Sequence, residues 1–232
     1  GSTTCCATAC APGKFSNAGA TVCTNCVSGR YSAASAATCS NCTEGYFAAS
    51  GASICAVAPP GKYIASLNAH TPTCIPAGYY SEFNGAIVPD KFVCSAGTFS
   101  TGCATSCTAC SPGSYIDAAG ASACTTCAKG TFSSKSAAIC TAAPSGKYIS
   151  TTGATEPTLI PAGFYGNATS TTSYSLRCEA GTYSLPGAVA CIVCSPGSYS
   201  GVGSTECTKC SPGTYASGLK STTCKAAFAG TY

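Results

Sequence analysis

Charge is what this sequence has least of. Asp, Glu, Lys and Arg together make up 8% of it, against about 25% in an ordinary soluble domain. The acids Glu44, Glu82, Asp90, Asp117, Glu156, Glu179 and Glu206 stand apart from one another, which leaves no paired carboxylates for general acid–base chemistry. The net charge of +4 is spread without a Lys/Arg cluster, so neither nucleic acid nor an anionic membrane surface is an expected partner. The one histidine, His70, sits in Asn68-Ala69-His70-Thr71, and the corresponding place further along holds Ala154. A function carried by a repeat recurs in its copies, so His70 reads as a solvated loop residue. With convergent titratable groups missing, the expectation is no enzyme and no cofactor.

Met and Trp are absent and large aliphatic residues are sparse; the bulky side chains are mostly Tyr and Phe set beside glycine. No apolar run approaches the roughly 18 residues of a transmembrane helix, which excludes direct membrane insertion by that route. No apolar period of 3.6 stands out, so helix is expected to be minor. Gly1 does not open a basic-then-apolar leader, and the chain reads as a mature or excised segment. Such a composition cannot bury enough apolar area to offset chain entropy, so covalent cross-links must carry the stability.

Cysteine supplies them: 22 of the 232 residues. That density marks a disulfide scaffold made in an oxidising compartment, and the expected location is extracellular or at the cell surface. Cys10-Ala-Pro-Gly-Lys-Phe runs to Cys23, Cys26-Val-Ser-Gly-Arg-Tyr to Cys39, and Cys42-Thr-Glu-Gly-Tyr-Phe to Cys55. The unit is Cys-x-x-Gly-x-aromatic, a small-residue loop, Cys and two residues, with a period of 16. The triplet recurs from Cys94 to Cys140 and from Cys178 to Cys224.

A longer period overlies this one, since Cys10, Cys94 and Cys178 are 84 residues apart. Between triplets, Ala58-Pro59-Pro60-Gly61-Lys62-Tyr63-Ile64 matches Ala143-Pro144-Ser145-Gly146-Lys147-Tyr148-Ile149, and Ile75-Pro76-Ala77-Gly78-Tyr79-Tyr80 matches Ile160-Pro161-Ala162-Gly163-Phe164-Tyr165. The chain divides into an N-terminal segment 1–9, super-repeat 10–93 (triplet 10–55, spacer 56–93), super-repeat 94–177 (triplet 94–140, spacer 141–177) and an incomplete third, 178–232. Locally, glycine sets a turn, the aromatic opens a short strand, a Gly/Ala/Ser loop reverses the chain and the closing Cys returns beside the first. The expected fold class is small, disulfide-rich and mainly β or irregular: an elongated rod of stacked modules of about 16 residues within the 84-residue super-repeat.

Cys-x-x-Gly-x-Tyr followed by about eight residues and Cys-x-x-Cys resembles the cysteine-rich repeats of ephrin receptors and of many secreted multi-repeat proteins. It is similar to the first half of tumour necrosis factor receptor modules, and ciliate immobilisation antigens carry a related Cys-x-x-Cys periodicity. The resemblance implies a module type rather than a function, because such modules serve receptors, stalks and coats alike. The regular super-repeat and the poverty in charge depart from the receptor families, whose modules bind ligands through irregular charged loops.

Spacing predicts one disulfide per module: Cys10 with Cys23, Cys26 with Cys39, Cys42 with Cys55, Cys94 with Cys107, Cys110 with Cys124, Cys127 with Cys140, Cys178 with Cys191, Cys194 with Cys207 and Cys210 with Cys224. Each loop of about 15 residues contributes on the order of 3 kcal/mol in the chain-entropy model. Cys74 and Cys103 align with Leu159 and Gly187 of the next super-repeat. Joint presence here and joint absence there predicts a further bond, Cys74 with Cys103. Zinc is the rival reading of Cys23-x-x-Cys26 with Cys39-x-x-Cys42. The pairs run on at 16-residue intervals, so each would be shared between adjacent sites, and no metal is expected.

Asn167-Ala168-Thr169 is a glycosylation sequon in a Ser/Thr-rich stretch, and Asn41-Cys42-Thr43 is a second, more cramped one. Covalent glycans would also solubilise a surface so short of charge. Tyr31, Tyr115, Tyr183, Tyr199 and Tyr215 recur at one place in each module; they read as packing on the neighbouring module rather than as a carbohydrate-stacking ladder. Equal spacing of equivalent surfaces is what a lattice requires, so the expected function is structural: a glycosylated subunit of an extracellular filament, appendage or coat whose partners are copies of itself joined head to tail. A receptor or surface-antigen ectodomain is the alternative. The segment Phe228 to Tyr232 is expected to dock on a neighbour's N-terminal segment, with Cys5 or Cys6 forming an intermolecular bridge; a vicinal Cys5–Cys6 bond, or a fragment of a longer repeat chain, would explain the same residues.

Overall fold

The computed structural model of the chain describes residues 9–88, 92–169, 171–174, 176–228 and 230. Among them there is no helix, and all regular structure consists of thirteen two-stranded antiparallel sheets with strands of two residues. The contacts divide the chain into two compact units, one of Gly1–Ala109 with Ile116–Cys124, the other of Cys110–Tyr115 with Thr125–Tyr232.

The first hairpin shows how the sequence makes each of these sheets. Gly13, at φ +81°, closes a turn in which the Lys14 N–H donates to the Ala11 carbonyl at 3.1 Å. Lys14–Phe15 then pairs with Thr24–Asn25, Lys14 facing Asn25 and Phe15 facing Thr24. The Cys26 N–H returns to the Gly13 carbonyl at 2.9 Å, so the start of one hairpin seals the end of the previous one. An isolated two-stranded hairpin is marginal in water, and its stability has to come from its neighbours.

Within the first unit those neighbours are joined by a repeated set of main-chain bonds. Each turn glycine donates forward: Gly13 to Ser32 at 2.9 Å, Gly29 to Ala48 at 2.8 Å, Gly61 to Ser81 at 2.8 Å. Each hairpin's first residue accepts from a loop residue of the next, as Cys10 from Ser35, Cys26 from Gly51 and Ile75 from Cys103, at 2.8 to 2.9 Å. The second unit repeats the set by itself, with Gly113 to Ser133 and Gly181 to Ser200, and with Cys127 accepting from Gly153 and Cys178 from Gly203. The loop donors have positive φ and are mostly glycine, with Ser35, Asn68, Cys103, Ser136 and Lys220 as the exceptions.

Burial follows the same period. The first residue of every hairpin but the last is sealed, from Cys10, Cys26 and Cys42 through Ala58 and Ile75 in one unit, and from Cys127 through Ala143, Ile160, Cys178 and Cys194 in the other, whereas Cys210 is half-buried. After the first hairpin, where Ser16 is half-buried, so is the residue after the aromatic sealed: Ser32, Ala48, Ile64 and Ser81, then Ser133, Ile149, Ser184 and Ser200. Side chains alternate faces along a strand, so this inward position leaves the preceding aromatic half-buried. Phe15, Tyr31, Tyr115, Tyr183 and Tyr199 are all half-buried, and Tyr215 is 42% exposed. The aromatics are therefore the rim of the core rather than its centre. The buried serines stay satisfied, Ser32 Oγ donating to the Lys14 carbonyl of the preceding hairpin at 3.0 Å and Ser184 Oγ to that of Phe164 at 2.7 Å, while Ser81 Oγ donates to the Phe83 carbonyl in its own hairpin at 3.4 Å, as buried hydroxyls must.

Residues 56–93 and 141–177, set apart above as spacers for want of cysteines, each hold the same hairpin twice. Lys62–Tyr63 pairs with Thr73–Cys74 and Tyr79–Tyr80 with Phe92–Val93; Lys147–Tyr148 pairs with Thr158–Leu159 and Phe164–Tyr165 with Leu176–Arg177. Two devices stand where the disulfide would be. Where the first residue is small, Ala58 or Ala143, the second inward position carries Ile64 or Ile149, all four buried. Where it is Ile75 or Ile160, the second position is Ser81 or Gly166, and a Cβ on Gly166 would collide with Ile160 Cδ1.

Candidate functional surfaces

Disulfides join Cys10 to Cys23, Cys26 to Cys39, Cys42 to Cys55 and Cys94 to Cys107 in the first unit. In the second they join Cys127 to Cys140, Cys178 to Cys191, Cys194 to Cys207 and Cys210 to Cys224. Cys110 and Cys124 are also disulfide-bonded. These eight pairings are the ones the spacing predicts. Sulfurs held in disulfides are not thiolate ligands, so the zinc reading of Cys23, Cys26, Cys39 and Cys42 falls. Among the described residues no group of three or more His, Cys, Asp or Glu could hold a metal ion, and no helix is long and apolar enough to cross a membrane.

Cys74 is bonded to Cys103, with Cα atoms 4.5 Å apart. This bond closes no hairpin. It ties the last strand residue of the Ala58 hairpin to the left-handed loop residue of the Cys94 hairpin, two hairpins on. That contact is general, and the cysteines only make it covalent. A Cβ on Gly13 would fall on the carbonyl oxygen of Gly51, two hairpins away, and one on Gly61 would fall on that of Cys103. In the second unit Gly113 meets Gly153, and Gly146 meets Gly187, in the same manner. The turn glycine is thus required twice, for its positive φ and for the close approach of a main chain. The last strand residue covers this crossing: the place a Cβ would take on Gly153 lies 3.2 Å from Thr126 Cγ2, and that on Gly187 lies beside Leu159 Cδ2. Nothing in the spacing of cysteines reports it.

One ion pair straddles such a crossing. Lys220, a left-handed loop residue, donates from Nζ to Glu179 Oε2 at 2.9 Å. The hydrogen bond, and after it the ammonium charge, holds the Glu179 carboxyl below its usual pKa. Glu44, Glu82, Asp117, Glu156 and Glu206 are exposed, as is His70; Asp90 lies outside the described residues.

The sequon residue Asn167 is exposed beside a small cleft of about 100 Å³ lined by Tyr165, Thr171, Tyr174 and Leu176, and its carbonyl accepts from Ser145 Oγ at 3.2 Å. Tyr174 stacks edge-on against Tyr148 and Phe164 at 5.0 and 5.1 Å, and the Arg177 guanidinium lies 5.8 Å from the Phe164 ring centre. The corresponding hairpin of the first unit has Phe92 against Tyr80 at 5.4 Å and Phe83 at 5.7 Å. Both clusters sit on hairpins without a closing disulfide. Next to Phe83 a cleft of about 280 Å³ is lined by Ser81, Asn84, Ile87 and Val88. Asn41, the second sequon, is exposed on the strand Ser40–Asn41. Phe228 is 78% exposed, whereas Cys5, Cys6 and Tyr232 lie outside the described residues.

No known family model matches the chain, and no curated protein matches it. What the geometry establishes is coarser than any family. This is a cysteine-rich repeat of disulfide-closed hairpins, of a kind that needs an oxidising environment to form.

Proposed function

We propose that this chain is an extracellular structural protein: a glycosylated subunit of a filament, surface appendage or coat, built by joining copies head to tail and without a catalytic role. The observation that supports it is the sameness of the junctions. Within each unit every hairpin offers its successor one glycine N–H and one carbonyl in a fixed arrangement, whatever side chains surround them. An interface made of main chain is available to any further copy of the hairpin, and an interface that does not close on itself propagates. In this proposal the region from Phe228 to Tyr232 meets the next subunit's N-terminal segment, and Cys5 or Cys6 supplies the covalent link. Glycans on the exposed Asn167 and Asn41 compensate for the shortage of surface charge.

Electron microscopy of the secreted chain, with electrophoresis before and after reduction, tests the proposal. Ordered fibrils and a ladder that collapses on reduction are expected. Monodisperse single chains at all concentrations, with Cys5 and Cys6 bonded to each other, would overturn it. The cleft beside Phe83 favours a second reading, a receptor or antigen ectodomain like those that bear ephrin-receptor-type repeats, in which that cleft takes an apolar ligand group. Saturable ligand binding by single chains would decide for it.

A further inference from the structure

We propose that the Cys74–Cys103 bond is a thiol–disulfide exchange site, which a low-molecular-weight thiol opens while the hairpins on either side stay folded. Exchange requires a thiolate to reach a sulfur along the S–S axis. Among the described cysteines only Cys74 and Cys103 are exposed; all the others are half-buried or buried. A second, independent observation concerns the backbone. Cys103 sits at φ +51°, the left-handed conformation that Ser35, Asn68, Ser136 and Lys220 hold at the same loop position without a disulfide, so the loop keeps its backbone shape when this bond opens. The third concerns what is lost on opening. The Cys103 N–H still donates to the Ile75 carbonyl at 2.9 Å and Gly61 to Ser81 at 2.8 Å. The second unit makes the same crossing without any covalent bond, with Leu159 lying over Gly187. The tie is therefore dispensable to the architecture.

In the step itself, the incoming thiolate attacks Sγ of Cys74 or of Cys103. One S–S bond forms as the Cys74–Cys103 bond breaks, and the released sulfur leaves as a thiolate that takes a proton from water. The chain then carries one thiol and one mixed disulfide: the incoming sulfur is oxidised to the disulfide level as the released one is reduced to a thiol, so the step needs no other oxidant or reductant. Return attack by the freed thiolate expels the small thiol and restores the tie.

Reduced glutathione applied to the native chain in graded amounts, followed by alkylation and peptide mass mapping, reads the site directly. Adducts and alkylation at Cys74 and Cys103 are expected about tenfold or more faster than at any other described cysteine, with the far-ultraviolet circular dichroism unchanged. Equal rates at another of the described pairs, or loss of the dichroism signal in step with adduct formation, would overturn the proposal. The double substitution Cys74→Leu with Cys103→Gly reproduces the residues of the second unit. It is expected to fold with the remaining disulfides intact and to lose the fast adduct; a fast adduct persisting at another described cysteine in this variant would also overturn the proposal.

Discussion

Residues 58–107 and 143–191 are two solutions to one structural problem. Each stretch holds two hairpins that lack a closing disulfide, followed by one that has it. In the first, Cys74 and Cys103 lock the crossing between hairpins covalently; in the second, Leu159 rests on Gly187. The aromatic clusters differ too, a Phe-rich group around Phe92 against an edge-on pair around Tyr174. The hairpin register is nevertheless the same, Lys62 facing Cys74 as Lys147 faces Leu159. The main-chain ladder and the turn glycines decide the geometry, and the side chains at the crossing decide only how firmly it is held.

The most damaging change should therefore be the same in both stretches. Gly61→Ala and Gly146→Ala each place a Cβ on a main-chain carbonyl that cannot move without parting two hairpins, and each puts alanine at positive φ. Losses above about 3 kcal/mol are expected for both, seen as a lower melting temperature and scrambled disulfides. A much milder loss at Gly61 would mean that the covalent tie, and not the glycine, governs the first crossing.

Leu159→Cys with Gly187→Cys transplants the tie. Mass mapping should show the new bond, and the second unit should gain about 2–3 kcal/mol, below the ceiling for a loop of this length because a left-handed cysteine is strained. Absence of the bond would show that the two crossings differ in backbone and not only in side chain. Next in size, Tyr174→Ala removes two ring contacts and Phe92→Ala removes two others; each loss is expected at about 1–3 kcal/mol beyond simple area, from melting curves of the single variants. A large effect at one and none at the other would break the equivalence of the two clusters.

The smallest effect concerns pH. Glu179 has its folded pKa lowered by Lys220, so whatever the pair contributes is present above the ordinary carboxylate range and lost as pH falls through it. Both partners are exposed, and surface pairs of this kind contribute little. Lys220→Ala should raise the Glu179 pKa in an NMR titration and leave the melting temperature almost unchanged; a large drop would show that Lys220 acts through its loop backbone.

Cysteine spacing made the disulfide-closed hairpins legible, because a chain that turns on Gly and returns after 13 residues brings its sulfurs together. The Cys74–Cys103 bond was legible from a different signal, the joint loss of both partners at Leu159 and Gly187. The hairpins at Ala58, Ile75, Ala143 and Ile160 have no closing cysteine pair, so cysteine spacing does not mark them. The informative pattern was Gly-x-aromatic, at Gly61, Gly78, Gly146 and Gly163, which the turn and the first strand need whether or not sulfur follows. Contacts between a hairpin and the second one along left no trace in spacing, because main-chain carbonyls make them and any residue has a carbonyl.

The placement of the closing bonds also determines how the chain answers a pulling force. A hairpin whose ends are bridged can lose its hydrogen bonds under load and still surrender none of its loop, because tension passes through the sulfurs. In the second unit the hairpins from Ala143 and Ile160 have no such bypass and can pay out their whole contour, about 3.5 Å for each residue released. In the first unit, Cys74–Cys103 shunts the load around everything between those two residues, so the hairpin from Ile75 is shielded and only the one from Ala58 can give. Opening that single exposed bond would convert a stiff segment into an extensible one.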